Sequence, residues 1–163
     1  MSYAGWAGVI ASCAVTREAD GGGPRVLAGG VRAQVAARCL ALLHLGRHST
    51  LTGLVAKTVR QFETCGSRAS DLVVWMSPSA QRETYKLDYF DHHDNPAWQP
   101  YCDIKEDGVY IDMQGYNRQR FIDCGVGVGN IHLSPINTMT SDAYFSHAAG
   151  DAHGRMAVIA MMR

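Results

Sequence analysis

The sequence predicts a mixed α+β fold in which helices pack on mixed β-sheets. Three observations predict it. Apolar and β-branched runs at 7–16 (AGVIASCAVT) and 71–76 (DLVVWM) read as strands. Apolar residues recur at three- and four-residue intervals over 49–65, the signature of a helix with one buried stripe. Such strand-like and helix-like segments alternate along 163 residues, enough for one domain with one core.

Taken in order, 7–16 is the first strand. The stretch 18–24 (EADGGGP) is a loop, because three consecutive glycines resist any regular element. Residues 31–45 stay open between helix and buried strand: the alanines favour one, CLALLHL the other, and periodicity does not decide. The 49–65 helix has Leu51, Leu54, Val55, Val59 and Phe62 on its stripe, Ser49 or Thr50 as cap and Gly66 as stop. The strand at 71–76 ends at Ser77 and Pro78. Residues 86–107 are the least regular part and are expected to form a surface excursion held partly by aromatic packing. A short extended entry at 109–111 leads to Asp112, which caps a helix running to about Cys124, with Met113, Tyr116 and Phe121 inward and Gly125 as stop. Strands are expected at 130–134 and 157–162.

Composition bounds the function. Hydrophobic residues make up 47% and charged residues 18%, as in a globular chain. Fifteen basic residues balance fifteen acidic ones, so nothing advertises a nucleic-acid or anionic-membrane partner. No apolar run approaches the ~18 residues of a membrane-spanning helix. Five cysteines at irregular spacing, with no CxxC pair and no leader-like N-terminus, point to reduced thiols and a cytoplasmic setting. No GxSxG elbow, P-loop or dinucleotide fingerprint lies in a fitting context. His92 and His93, flanked by Asp91 and Asp94, read as a solvated loop. Neighbours in extended chain point to opposite faces and rarely share an ion. His132 sits in an expected strand, and His153 in a turn.

Several motifs follow one another in a fixed order. They are Ile111-Asp112-Met113-Gln114-Gly115-Tyr116-Asn117-Arg118-Gln119-Arg120, then Gly125-Val126, Asn130-Ile131, Ser134-Pro135-Ile136-Asn137-Thr138, Tyr144-Phe145-Ser146-His147 and Gly154-Arg155-Met156-Ala157-Val158. Together they resemble the laccase-domain purine nucleoside phosphorylase family, once called polyphenol oxidases. Upstream, Leu42-Leu43-His44-Leu45-Gly46 is similar to that family's His-Ala-Gly-Trp-Arg-Gly segment, with Arg47, His48 and Ser49 in place of tryptophan, arginine and glycine. Ser77-Pro78-Ser79-Ala80 resembles its Gly-Pro turn, and Ala11-Ser12-Cys13 its Ala-Asp-Cys motif.

The resemblance implies the C-terminal two-thirds of such a protein, its N-terminal part lacking. It also implies a zinc or copper ion held by two histidines and a cysteine beside a purine nucleoside. Cys13 and His44 match two of those ligands; the third, a histidine upstream of the cysteine, has no counterpart among the twelve residues before Cys13. The bland alternatives are a small buried strand residue for Cys13 and a hydrogen-bonded core residue for His44. Arg47, Ser79, Ser146 and His147 are the implied contacts to nucleoside and phosphate. Ala148 and Ala149 stand where many relatives carry an arginine pair that suits phosphate.

The implied activity is cleavage of adenosine or inosine by phosphate to free base and ribose 1-phosphate, with adenosine deamination beside it. Two alternatives accompany it. One is a degraded or truncated member acting as a binding or assembly module. The other, ranked below, is copper-dependent polyphenol oxidation.

Overall fold

The computed structural model describes residues 12–17, 40–151, 153–154 and 156–159. Seven strands and three α-helices are described: β1 Ser12–Arg17, β2 Leu40–His44, α1 Arg47–Leu51, α2 Leu54–Thr64, β3 Leu72–Met76, β4 Lys86–Leu87, β5 Cys102–Lys105, β6 Gly108–Ile111, α3 Met113–Asp123 and β7 Ile131–Leu133. The expected loop at 18–24 and most of the open stretch 31–45 lie outside the described residues. The described end of that stretch is strand, in β2.

Four strands form one sheet in the order β2-β1-β3-β7, and three form a second in the order β4-β6-β5. β1 runs antiparallel to both β2 and β3, whereas β7 runs parallel to β3. A parallel bridge between Ser79 and Asn137 carries the β3/β7 pairing past the strand ends. The fold is α+β, as the sequence predicts.

Two apolar clusters hold it. In the first, Leu43, Leu72, Val74, Met76 and Ile131 from one sheet face pack with Val55, Val59 and Phe62 of α2 and Phe121 of α3. Full burial of each such side chain is worth roughly 1.5–3 kcal/mol. The second gathers Tyr85, Phe90, Trp98, Val109 and Ile111 with Met113 and Tyr116 of α3. Helix α3 therefore ties the clusters together, Phe121 in one and Met113 with Tyr116 in the other.

Three expectations are corrected. The helix over 49–65 is two helices, α1 and α2, separated at Gly53, whose φ of 73° is left-handed. Ser49 does not cap; its hydroxyl turns back to donate to the carbonyl oxygens of His44 (2.6 Å) and Gly46 (3.0 Å). Leu51, ahead of the break, leaves the stripe and is exposed.

The excursion over 86–107 contains two strands and supplies the second core. Trp98, 2% exposed, stacks on Tyr116 with ring centroids 3.5 Å apart. The final strand is not formed over 157–159, and 160–162 lie outside the described residues. By contrast, Asp112 caps α3 as expected, its carboxylate accepting from the Gly115 N–H at 2.7 Å.

Candidate functional site

Both parallel strands end in the same dipeptide. β3 runs into Ser77 and Pro78, and β7 into Ser134 and Pro135. Proline offers no N–H, so it cannot donate to the sheet ladder, and the chain leaves the sheet there. Gln114, in the first turn of α3 and nearly buried, donates from Nε2 towards the carbonyl oxygens of Ser77 (3.4 Å) and Ser134 (3.3 Å). One amide thus ties the two strand ends together. Carboxyl ends of parallel strands are where open sheets leave a crevice.

A cleft of about 580 Å³ lies there, lined by Trp75, Ser77, Ser134, Ile136, Tyr144 and Val158 among others. Its size is within the roughly 300–1,000 Å³ of small-molecule sites, and its make-up is theirs too: mostly apolar, with two aromatic rings and a few hydroxyls.

His44 closes β2 at the same end of the sheet, since Ser12 pairs with His44 and Cys13 pairs with both Leu43 and Met76. Its ring lies over Gly46. A Cβ on Gly46 would stand 2.8 Å from the His44 Nε2. Burial lowers the His44 pKa below that of free histidine, which favours the neutral imidazole, the form that binds a metal. As pH falls through about 6.5, the unfolded chain takes up this proton first, and the folded state loses stability until its own pKa is passed. The pH dependence of the urea midpoint between about 8 and 5 should therefore be shallower in His44→Gln than in the unaltered protein. An identical dependence would contradict this reading of His44.

The other sequence-derived residues are placed as follows. Arg47, exposed, opens α1 next to His44, with its charge near the Tyr85 hydroxyl. Burial pushes the Tyr85 pKa up, and the Arg47 charge acts against it. Ser79 is wholly buried, and its hydroxyl has no hydrogen-bond partner among the described residues, so it does not face solvent. Ser146, 7% exposed, is held by its own turn: its N–H donates to Asp151 at 2.5 Å, and its Oγ accepts from the Ala149 N–H at 3.3 Å. His147 begins a short 3-10 turn, and its side chain, like that of Cys13, lies outside the description.

Cys13, His44 and Arg47 thus come from neighbouring backbone. The register gives Cys13 two buried neighbours, Leu43 and Met76, and gives His44 the neighbour Ser12. His92 and His93 sit in a turn, with the His93 Nδ1 2.6 Å from the Phe90 carbonyl oxygen. His132 is exposed in β7, and His153 is exposed before Gly154.

Sequence reasoning missed Trp75, Tyr144 and Gln114. The repeated Ser-Pro after two strands was the legible sign of the cleft; nothing in one dimension pointed to Gln114.

A thiolate and an imidazole suit zinc or copper. The described residues contain no group of three or more His, Cys, Asp or Glu that could hold a metal ion. Cys13 pairs with Leu43 and Met76 on the core face, whereas His44 pairs with Ser12 one position on, so the register sets Cys13 and His44 on opposite faces of the sheet and they do not make a metal site between them. Gly46→Ala tests the His44 placement. The Gly46 backbone, at φ −81° and ψ 176°, accepts alanine, so the new methyl should displace the ring and lower zinc retention on dialysis while the melting temperature changes little. Unchanged zinc retention would contradict the ring position.

The family described as multi-copper polyphenol oxidoreductase laccase matches residues 31–163. Three solved structures are similar in fold. Bacillus licheniformis hypothetical protein YfiH has a TM-score of 0.64 at 21% identity, over 87% of this chain and 49% of its own. YlmD from Geobacillus stearothermophilus has 0.59 at 26% identity, over 66% and 43%. Neisseria meningitidis protein NMB0706 has 0.65 at 13% identity, over 86% and 52%. The chain spans about half the length of these proteins. Among curated proteins no sequence matches it. Among the described residues no helix is long and apolar enough to cross a membrane. With most of its length matched and its fold shared, this chain belongs to the multi-copper polyphenol oxidoreductase laccase family, the laccase-domain proteins.

Proposed function

We propose that this protein is a purine nucleoside phosphorylase that splits adenosine or inosine with phosphate into free base and ribose 1-phosphate. The observation that carries the reading is the cleft at the ends of β3 and β7, with Trp75 and Tyr144 in its wall and His44 at the same end of the sheet. Aromatic walls suit a flat purine, whose faces stack on rings. Phosphorolysis breaks the bond from the anomeric carbon to the base nitrogen and forms one to a phosphate oxygen. Its transition state needs the phosphate held beside a sugar that gains positive charge. The Arg47 guanidinium suits the phosphate; Ser146 and His147 stand as rim contacts.

Zinc at His44, with copper as the alternative, would supply Lewis acidity, the chemistry that adenosine deamination needs; the other sequence-derived ligand, Cys13, stands at a position on the opposite sheet face. The partners of the reaction are the nucleoside and phosphate.

A second reading is an inactive member that serves as a binding or assembly module. The altered Arg47-His48-Ser49 segment and the Ala148-Ala149 pair favour it. The test is to incubate the purified chain with adenosine or inosine, phosphate and zinc, and to follow free base by chromatography. Base released above a Cys13→Ala/His44→Ala control supports the enzyme; base at the control level leaves the module. Polyphenol oxidation ranks third, because the chain's seven histidines form no cluster among the described residues.

A further inference from the structure

Helix α1 has five residues, fewer than a helix needs to stand alone, and only Thr50 among them is buried. Leu51, its one large apolar residue, is exposed. Leu45, buried just ahead of Gly46, anchors the end of β2 in the first core rather than α1 itself. No apolar stripe therefore holds this helix. Yet it opens with Arg47 and follows Gly46, the residue under the His44 ring.

What it has instead is a polar contact across 67 residues of sequence. The Thr50 hydroxyl oxygen lies 3.1 Å from the Asn117 Nδ2 and 3.2 Å from its Oδ1, able to accept from the one and donate to the other. Asn117 is wholly buried, and its Nδ2 also donates to the Met113 carbonyl oxygen at 2.8 Å. That second bond fixes which way the amide faces, because a turned amide would set its oxygen against a carbonyl oxygen. A polar atom left unpaired in such surroundings is costly, so the pair holds one geometry where an apolar contact could slide.

The two ends of the contact are unlike. Helix α3 is fixed in both cores, by Met113 and Tyr116 in one and by Phe121 in the other, and is capped by Asp112. Helix α1 lies between Gly46 and the left-handed Gly53 and brings one buried side chain. We propose that Asn117 is a positioning residue of the candidate site: through Thr50 it seats α1 on α3 and so fixes where Arg47 stands. Asn117 touches no reacting atom itself. The phosphate contact of Arg47 rests on the proposed function, whereas the seating of α1 does not.

The test compares two substitutions at Thr50. Valine keeps the shape and loses the hydroxyl; serine keeps the hydroxyl and loses the methyl. The readout is the carbon NMR resonance of the Tyr85 ring in the full chain labelled at tyrosine, assigned with Tyr85→Phe. The Arg47 charge lies near the Tyr85 hydroxyl, and Arg47→Ala gives the resonance without that charge. Asn117→Ala repeats the test from the other helix, and the Thr50 pair decides alone if that variant does not fold.

We expect Thr50→Val and Asn117→Ala to move the Tyr85 resonance most of the way to its place in Arg47→Ala, and Thr50→Ser to leave it where it is. In phosphorolysis, Thr50→Val should raise KM for phosphate at least about fivefold with kcat changed less, and Thr50→Ser should stay within about twofold. A resonance unmoved by Thr50→Val overturns the proposal. So does one moved as far by Thr50→Ser, which would make Thr50 a packing residue. Arg47→Ala without effect on Tyr85 overturns it too, because Arg47 then stands elsewhere. If the unaltered protein releases no base, the phosphorylase reading fails and the Tyr85 resonances still decide the seating of α1. If base is released and KM for phosphate is unchanged in Thr50→Val, the inference fails and the phosphorylase reading stands.

Discussion

His44→Ala is expected to remove bound zinc and to bring phosphorolysis down to the level of a protein-free control. The Cys13 side chain lies outside the description, whereas the His44 imidazole is a described side chain of the candidate site. Its backbone is fixed at the end of β2, with the Ser49 hydroxyl donating to its carbonyl oxygen at 2.6 Å, and its ring rests on Gly46. Partial burial of its ring lowers its pKa, which favours the neutral form a ligand needs. Disturbing only an outer partner of a metal ligand costs about 10–100-fold in affinity, and removing the ligand itself should exceed that. The residue is exposed, so the fold should be affected by no more than about 0.5 kcal/mol, the usual range for surface substitutions.

His132→Ala, on the same face, should leave zinc and activity unchanged. Zinc content by elemental analysis after dialysis, beside base release, reads the result. Cys13→Ala separates the two accounts of that residue. Loss of zinc with little loss of stability makes it a ligand. Loss of stability with zinc retained makes it a strand residue of the core beside Leu43 and Met76.

Trp98→Ala should give the largest loss of stability. Trp98 is 2% exposed, stacked on Tyr116 and edge-on to Phe90 at 5.0 Å between centroids, in a cluster that also holds Tyr85 and Ile111. Its removal leaves a cavity that the second sheet and α3 both border. Truncation of a buried tryptophan or phenylalanine costs about 3–5 kcal/mol, which for a chain of this size lowers the melting temperature by roughly 6–20 °C. A drop of only a degree or two in thermal denaturation would mean that 86–107 is a loose surface excursion after all.

The legible parts of the fold were those with a local cause. The strand at 72–76 is a continuous apolar run closed by proline. Helix α3 has a capping aspartate, inward Met113, Tyr116 and Phe121, and Gly125 with φ 90° as its stop. What failed depended on tertiary context. Gly53 interrupts a stripe that looks continuous, because one left-handed residue turns the chain without altering the apolar spacing. Residues 86–107 read as a surface excursion held partly by aromatic packing rather than as a core, since only the fold brings Tyr116 beneath Trp98. The strand expected at 157–162 rested on apolar composition alone, and 157–159 are irregular.

The candidate site divides in the same way. Cys13, His44 and Arg47 were named from motif resemblance, and β1 and β2 bring their backbones together. Ser79 was named in the same way, yet it is buried. Trp75 looked like one more apolar strand residue, because only the sheet decides which alternate positions face the cleft. Gln114 acts through two backbone carbonyls 20 and 37 residues away, a role no spacing encodes.

The most direct test of phosphorolysis at this cleft is the phosphorus NMR spectrum of the protein with inosine, phosphate and zinc. The account predicts a ribose 1-phosphate resonance that grows in step with free hypoxanthine, while inorganic phosphate declines by the same amount. Hypoxanthine released with phosphate unconsumed, or no change in the spectrum at all, would contradict it.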